Sequence, residues 1–167
     1  MRVLVMPTSK YGGTAEIGRA IAKTLREEGI DVDVSQPENL FDVSIYDGFI
    51  LGSAIYIGKW LKRASRFVEL HSEELKAKPT WLFSSGPLGP ANPEQPIRPD
   101  VVEQLVQLTG AREHRILAGR LELDRLSPKE RFIAQWVGAE EGDHRDWDEI
   151  EQWSRDIAAQ LKPPSTM

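Results

Sequence analysis

The chain contains no cysteine. That excludes disulfides, thiolate metal sites and cysteine nucleophiles, and it leaves any redox chemistry to a bound cofactor. Positive charge is in short supply: 21 Lys and Arg stand against 26 Asp and Glu, for a formal charge of −5. Nucleic-acid binding needs a basic surface, so it is not expected. No stretch approaches the ~20 apolar residues of a membrane-spanning helix. The start, Met1-Arg2-Val3-Leu4-Val5-Met6, is too short for a secretory apolar core and lacks a small-residue cleavage site, so the expected compartment is the cytoplasm. The three histidines, His71, His114 and His144, lie far apart without metal-ligand spacing, and no metal site is expected. Neither the Walker pattern nor the dinucleotide GxGxxG occurs, which removes support for ATP and NAD.

What remains is a soluble globular composition, 40% hydrophobic and 28% charged over 167 residues. That length serves one well-buried core and is short for two ordinary domains. One domain over residues 1–162 is expected, with a frayed tail at 163–167 because Pro163-Pro164 ends the last helix. Val3 to Met6 is a continuous apolar run, the mark of a strand buried on both faces of a parallel sheet. Ile17, Ile21 and Leu25 recur at helical spacing before a capping Gly29. Ile30 to Val34 alternates as an edge strand does. Tyr46 to Leu51 holds a second apolar run, and Trp60 to His71 reads as an amphipathic helix. Trp81-Leu82-Phe83 is a third buried strand. Asp100 caps a helix ending at Gly110, and Ile116 to Gly119 is a fifth strand. Leu126 to Val137 reads as a short helix with Pro128 in its first turn. Asp146, with Glu149 three residues on, opens a last helix expected to bury Trp147, Ile150, Trp153, Ile157 and Leu161. A helix between the second and third strands, in Ser35 to Ser44, is not visible in the pattern. The alternation implies an α/β fold, a doubly wound five-stranded parallel sheet with helices on both faces.

In such a sheet, ligands bind beyond the carboxyl ends of the strands, near the topological switch point. Three strand ends carry suitable loops: Thr8-Ser9-Lys10-Tyr11-Gly12-Gly13-Thr14, Ser53-Ala54-Ile55-Tyr56-Ile57-Gly58 and Ser84-Ser85-Gly86-Pro87-Leu88-Gly89. The first opens a helix, so its N–H groups and the helix dipole suit a phosphate. Gly12 and Gly13 let the backbone curl close, and Ser9 and Thr14 offer hydroxyls. One loop alone is ordinary turn chemistry. Three at one sheet edge point to a flat phosphorylated ligand.

These motifs resemble a known family. Ser9-Lys10-Tyr11-Gly12-Gly13-Thr14 after an N-terminal strand is similar to the FMN-phosphate loop of flavodoxins, [S/T]-x-T-G-x-T, with Tyr11 in place of a threonine and one hydroxyl fewer. The run from Leu51 to Trp60 resembles the second loop of a narrower branch, the flavodoxin-like quinone-dependent protoporphyrinogen IX dehydrogenases. The segment Gly142-Asp143-His144-Arg145-Asp146-Trp147, continuing to Ile150 and Trp153, resembles the same branch. The resemblance implies an FMN whose phosphate is held by Thr8 to Thr14. It implies an isoalloxazine lined by Ser53 to Gly58, with Ser84, Ser85, Gly86, Pro87 and Gly89 on its pyrimidine side. Tyr56 and Trp60 are candidates to shield the ring, although Trp60 equally suits the core face of its helix. Asp143, Arg145 and Asp146 read as capping plus an Asp–Arg pair, and Trp147 and Trp153 as core.

A flavin needs little beyond position, electrostatics and access, so no catalytic acid or base is named. The resemblance implies an oxidoreductase taking electrons from a porphyrinogen to a quinone. Leu126 to Gly138, with Phe132, Ile133, Trp136 and Val137 among charges, reads as an apolar flap, as a contact to the inner face of the cell membrane, or as a helix packed on the sheet edge. The competing reading is an electron carrier whose acidic charge docks it to a redox protein. Carrier flavodoxins generally place a Gly beside the ring, whereas here Tyr56-Ile57 precede Gly58. A flavin-free scaffold is the third reading, opposed by Ser9 and Thr14.

Overall fold

The computed structural model describes residues 1–86, 97–136, 138 and 141–164. Val3, Leu4, Val5 and Met6 are all fully buried, as a strand covered on both sides demands, and they form the middle of β1 (Arg2–Thr8). With it run β2 (Asp31–Val34), β3 (Gly48–Tyr56), β5 (Thr80–Gly86) and β6 (Glu113–Ala118), all parallel, in the order β2-β1-β3-β5-β6. A two-residue β4 (Lys59–Trp60) folds back antiparallel on β3. The order reverses between β1 and β3, so the crevice opens beyond their carboxyl ends.

Period two divides β1 between two cores. Val3 and Val5 face the layer formed by α1 (Gly13–Glu27) and α6 (Trp147–Leu161), together with Ile17, Ile21, Trp81, Phe83, Trp153 and Ile157. Leu4 and Met6 face α2 (Lys62–Leu70), α3 (Ser72–Lys76) and α4 (Pro99–Thr109), together with Phe49, Leu51, Phe67, Leu75 and Leu82. The outer strands carry charge, Asp31 and Asp33 on β2, Glu113 and Arg115 on β6. Between β6 and α6 lie a small antiparallel ribbon, β7 (Arg120–Leu121) with β8 (Gly142–Asp143), and the helix α5 (Pro128–Trp136).

Several expectations change. Residues 35–44 hold a single 3-10 turn, Pro37–Asn39, with no full helix. The second loop is a hairpin: β3 runs on through Ser53, Ala54, Ile55 and Tyr56 and turns at Ile57-Gly58 into β4. Trp60 therefore belongs to a strand, and the helix after it begins only at Lys62. Ser84, Ser85 and Gly86 end β5 rather than start a loop. Asp146 caps α6 as expected, accepting the Glu149 N–H at 3.0 Å. Trp147, expected in the core, is 42% exposed because it sits in the first turn of α6 with the Arg145 guanidinium over its ring at 4.6 Å; Trp153 is fully buried. Gly110 caps α4 at φ +61°. Pro87, Leu88, Gly89 and Val137 lie outside the described residues, as do residues 165–167 of the tail.

Candidate functional site

Register brings the three strand ends level: Thr8 pairs with Ser53, Ser53 with Ser84, and Ala54 with Ser85. The first turn is built by Gly12, whose φ of +91° strains any residue with a Cβ. Its N–H donates to Ser9 Oγ at 2.9 Å, closing the loop on itself. The first helical bond of α1 runs from Glu16 N–H to Gly12 C=O at 3.0 Å. The N–H groups of Gly13, Thr14 and Ala15 thus have no helical acceptor and lie at the positive end of the helix dipole. Thr14 is buried, and Thr8 Oγ1 is buried with no hydrogen-bond partner. A buried orphan hydroxyl next to free N–H groups fits an anion whose oxygens accept from several donors.

The outside of this loop is braced by charge. Glu130, nearly buried on α5, takes Lys10 Nζ and the Tyr11 hydroxyl, so the phenol that replaces a threonine reaches away to α5. Glu130 also completes a reciprocal cap: its carboxylate accepts the Ser127 N–H at 3.1 Å and its own N–H donates to Ser127 Oγ at 3.2 Å. The Lys10 ammonium lies 5.1 Å from the centre of the Tyr56 ring and 5.5 Å from that of Tyr11, holding the two loops together. Arg125 donates to the Tyr11 carbonyl at 3.1 Å. Glu16, in the first turn of α1, is gripped by Arg120 at 3.4 Å and by Arg145. Arg145 also pairs with Asp143 at 2.6 Å. The Arg145 hydrogen bonds pull the Asp143 carboxyl down to about 2 and lower that of Glu16, against a partial desolvation penalty; the guanidinium is held correspondingly more firmly protonated. A cleft beside the loop is lined by Tyr11, Gly13, Arg120, Glu122, Arg125 and Leu126. The sequence singled out Asp143 and Arg145 as an Asp–Arg pair, which the structure joins at 2.6 Å, but it gave no sign of Glu130, Arg120 or Arg125 as braces of this loop. The one usable signal was Ser127-Pro128-Lys129-Glu130, which has capping-box spacing.

The second segment is held differently. Ile55 pairs with Trp60 and Tyr56 with Lys59. The two turn residues, Ile57 and Gly58, have φ of +50° and +72°, the positive values a two-residue hairpin requires. For a β-branched Ile57 that is a strained position, while at Gly58 a Cβ would also meet Arg98 Cγ at 2.9 Å. Arg98 N–H donates to the Gly58 carbonyl at 2.9 Å. Ser53 is buried and spent locally: its hydroxyl donates to the Ala54 carbonyl at 2.8 Å and accepts the Leu61 N–H at 3.0 Å. Trp60 is 4% exposed, and its indole N–H donates to Ser84 Oγ at 2.7 Å. Ser84 Oγ in turn lies 2.7 Å from His114 Nε2 on β6. Burial pushes the His114 imidazole below the ordinary histidine value. Tyr56 is half-buried beside the first loop, and Trp60 lies in the core on the α2 side.

Among the described residues no group of three or more His, Asp or Glu is arranged for a metal ion, and no helix is long and apolar enough to cross a membrane. The flavodoxin domain family matches residues 4–148. The protoporphyrinogen IX dehydrogenase [quinone] of Escherichia coli K12 is 24% identical over 180 residues, covering 99% of each chain. Among solved structures, oxidised flavodoxin 1 from Bacillus cereus superposes with a TM-score of 0.66 at 20% identity, over 97% of this chain and 100% of that one. A flavodoxin from the domain Archaea gives 0.64 at 18%, over 98% and 100%. The rubredoxin oxygen:oxidoreductase of Desulfovibrio gigas gives 0.64 at 14%, with 96% of this chain on 36% of that one.

Proposed function

Because this chain belongs to the flavodoxin domain family, we propose that it is an FMN-dependent oxidoreductase of the protoporphyrinogen dehydrogenase type, passing electrons from a porphyrinogen to a quinone. The observation that carries this reading is the end-to-end match to the dehydrogenase, which takes in both the Thr8–Thr14 loop and the Gly142–Trp147 segment.

The residues present fit FMN. Its phosphate suits the free N–H groups of Gly13 to Ala15 and the hydroxyls of Thr8, Ser9 and Thr14, with Lys10, Tyr11 and Gly12 shaping the turn. The ring suits the crevice between the β3–β4 hairpin, carrying Ala54 to Gly58, and the end of β5 at Ser85 and Gly86. Bound there, FMN supplies the two-electron chemistry, and the protein supplies orientation and exclusion of water. Tyr56, held by the Lys10 ammonium, would shield the ring on the first-loop side. No side chain is assigned as acid or base. Phe132 and Trp136 on α5 are 68% and 81% exposed, one helical turn apart. They supply apolar surface near the first loop, suited to a quinone or to peripheral contact with the inner membrane face.

The carrier reading is favoured by one observation, the net charge of −5, which suits docking to a basic redox protein. Three measurements test the proposal in order. The absorption spectrum and cofactor extraction of purified protein should reveal FMN. Anaerobic photoreduction should give, at half reduction, only the sum of the oxidised and fully reduced spectra; a third species in the majority selects the carrier. Porphyrin formation that depends on both FMN and a quinone then tests the substrate, and its absence removes the porphyrinogen assignment.

A further inference from the structure

His114 is a half-buried titratable group on β6, outside all three loops and without a part in the chemistry above. Its contact is specific. Ser84 Oγ accepts the Trp60 indole N–H at 2.7 Å, and an indole can only donate. The Ser84 hydroxyl hydrogen is therefore free to donate to His114 Nε2, also at 2.7 Å, with a neutral imidazole accepting. Burial lowers the His114 pKa and so favours that neutral form. Ser84 is fully buried, and its hydroxyl has both partners in place. The chain of bonds spans three strands, from β6 through β5 to β4, and ends at the base of the hairpin.

The hairpin needs such an anchor. Its turn keeps a β-branched residue at φ +50°, a conformation that persists only where the surroundings hold it. Two anchors lie on its far side: the Arg98 N–H bond to the Gly58 carbonyl, and Trp60. We propose that His114 is a positioning residue for the flavin: its imidazole fixes the Ser84 hydroxyl, Ser84 fixes the Trp60 indole, and Trp60 holds the hairpin that carries Tyr56 and Ile57. This rests on the reading of that hairpin as one wall of the FMN site, but the chain of contacts is open to test without FMN.

Two readouts on the full-length protein decide it. In the apoprotein, the indole N–H resonance of Trp60, identified by its loss in Trp60→Phe, is followed by 15N NMR in His114→Leu, His114→Gln and Ser84→Ala. Leucine removes the acceptor and glutamine restores one, so the resonance should shift in His114→Leu and Ser84→Ala and return toward its original place in His114→Gln. In FMN titrations, His114→Leu should weaken binding about tenfold and change the flavin absorption envelope, and His114→Gln should recover most of both. A Trp60 resonance indifferent to His114→Leu overturns the chain itself. A shifted resonance with unchanged FMN affinity and spectrum overturns the positioning role. Wild-type protein that binds no FMN overturns the cofactor reading, and with it the role toward flavin, while the NMR arm still reports whether His114 holds the hairpin. Should His114→Leu fail to fold, Ser84→Ala carries the same comparison.

Discussion

The Thr8–Thr14 loop and the β3–β4 hairpin flank the same crevice and are secured by opposite means. The first is clamped from outside by ion pairs that each join a largely buried partner to a part-exposed one, Glu130 to Lys10, and Arg120 and Arg145 to Glu16, with Glu130 also holding the Tyr11 hydroxyl. The second is pinned from inside by neutral groups, the buried Trp60 and Ser84 and the half-buried His114. Charged braces leave the first-turn N–H groups of α1 free, as anion binding requires, and salt reaches them through their part-exposed members, Lys10 and Glu16. Buried neutral bonds are insulated from salt and depend instead on packing. The same crevice thus has one wall tuned by electrostatics and one by shape.

Removing the shape-based wall should have the largest effect. Trp60→Ala empties a nearly fully buried indole site and should cost about 3–5 kcal/mol of stability, measured by urea unfolding. A loss below about 1 kcal/mol would mean that the hairpin is not continuous with the core. Next comes the phosphate side. Ser9→Ala together with Thr14→Ala should weaken FMN binding by about 2–4 kcal/mol, read by titration of apoprotein. Unchanged affinity would take this loop out of the site. The Ser9 change carries part of the effect indirectly, since its hydroxyl also accepts the Gly12 N–H.

Acid separates the two walls most finely. His114 has a folded pKa below its ordinary 6.5, so the unfolded chain takes up that proton more readily. Its stabilisation is complete above about 6.5 and is lost as pH falls from there toward the folded value. Asp143, drawn down from 3.8 to about 2, stabilises above 3.8 and loses that contribution as pH falls through about 2; lowered Glu16 behaves likewise below its ordinary 4.5. Hydrogen exchange at pH 7 and pH 5 should therefore show faster opening of the hairpin amides at pH 5, with opening at the bonded Gly12 and Glu16 amides unchanged. Equal acceleration in both regions would contradict the difference drawn above.

The parts of this molecule that the sequence reveals are those whose burial is local. Val3 to Met6 and Trp81 to Phe83 read as strands because both faces are covered, and Asp146 with Glu149 reads as a cap because the bond spans three residues. The hairpin was hidden because Ile57 occupies a conformation its own side chain disfavours, so local preference pointed to a loop. Glu130 was hidden because its partners lie about 120 residues away. Trp147 looked like core by spacing, yet in the first turn of α6 it stays 42% exposed, with the Arg145 guanidinium over its ring as its cover.

The charged rims of the sheet bear on how copies of the molecule meet. An outermost strand offers unpaired backbone groups to any similar strand, and like charges are one way of refusing that offer. On β2, Asp31 and Asp33 occupy two of four positions, with Asp33 paired to Arg2 at 2.8 Å, and on β6 Glu113 and Arg115 pair with each other at 2.8 Å. Joining two rims edge to edge would strip water from the Arg2–Asp33 pair on one side or from the Glu113–Arg115 pair on the other. Both rims are thereby made poor templates for extending the sheet from one molecule into another.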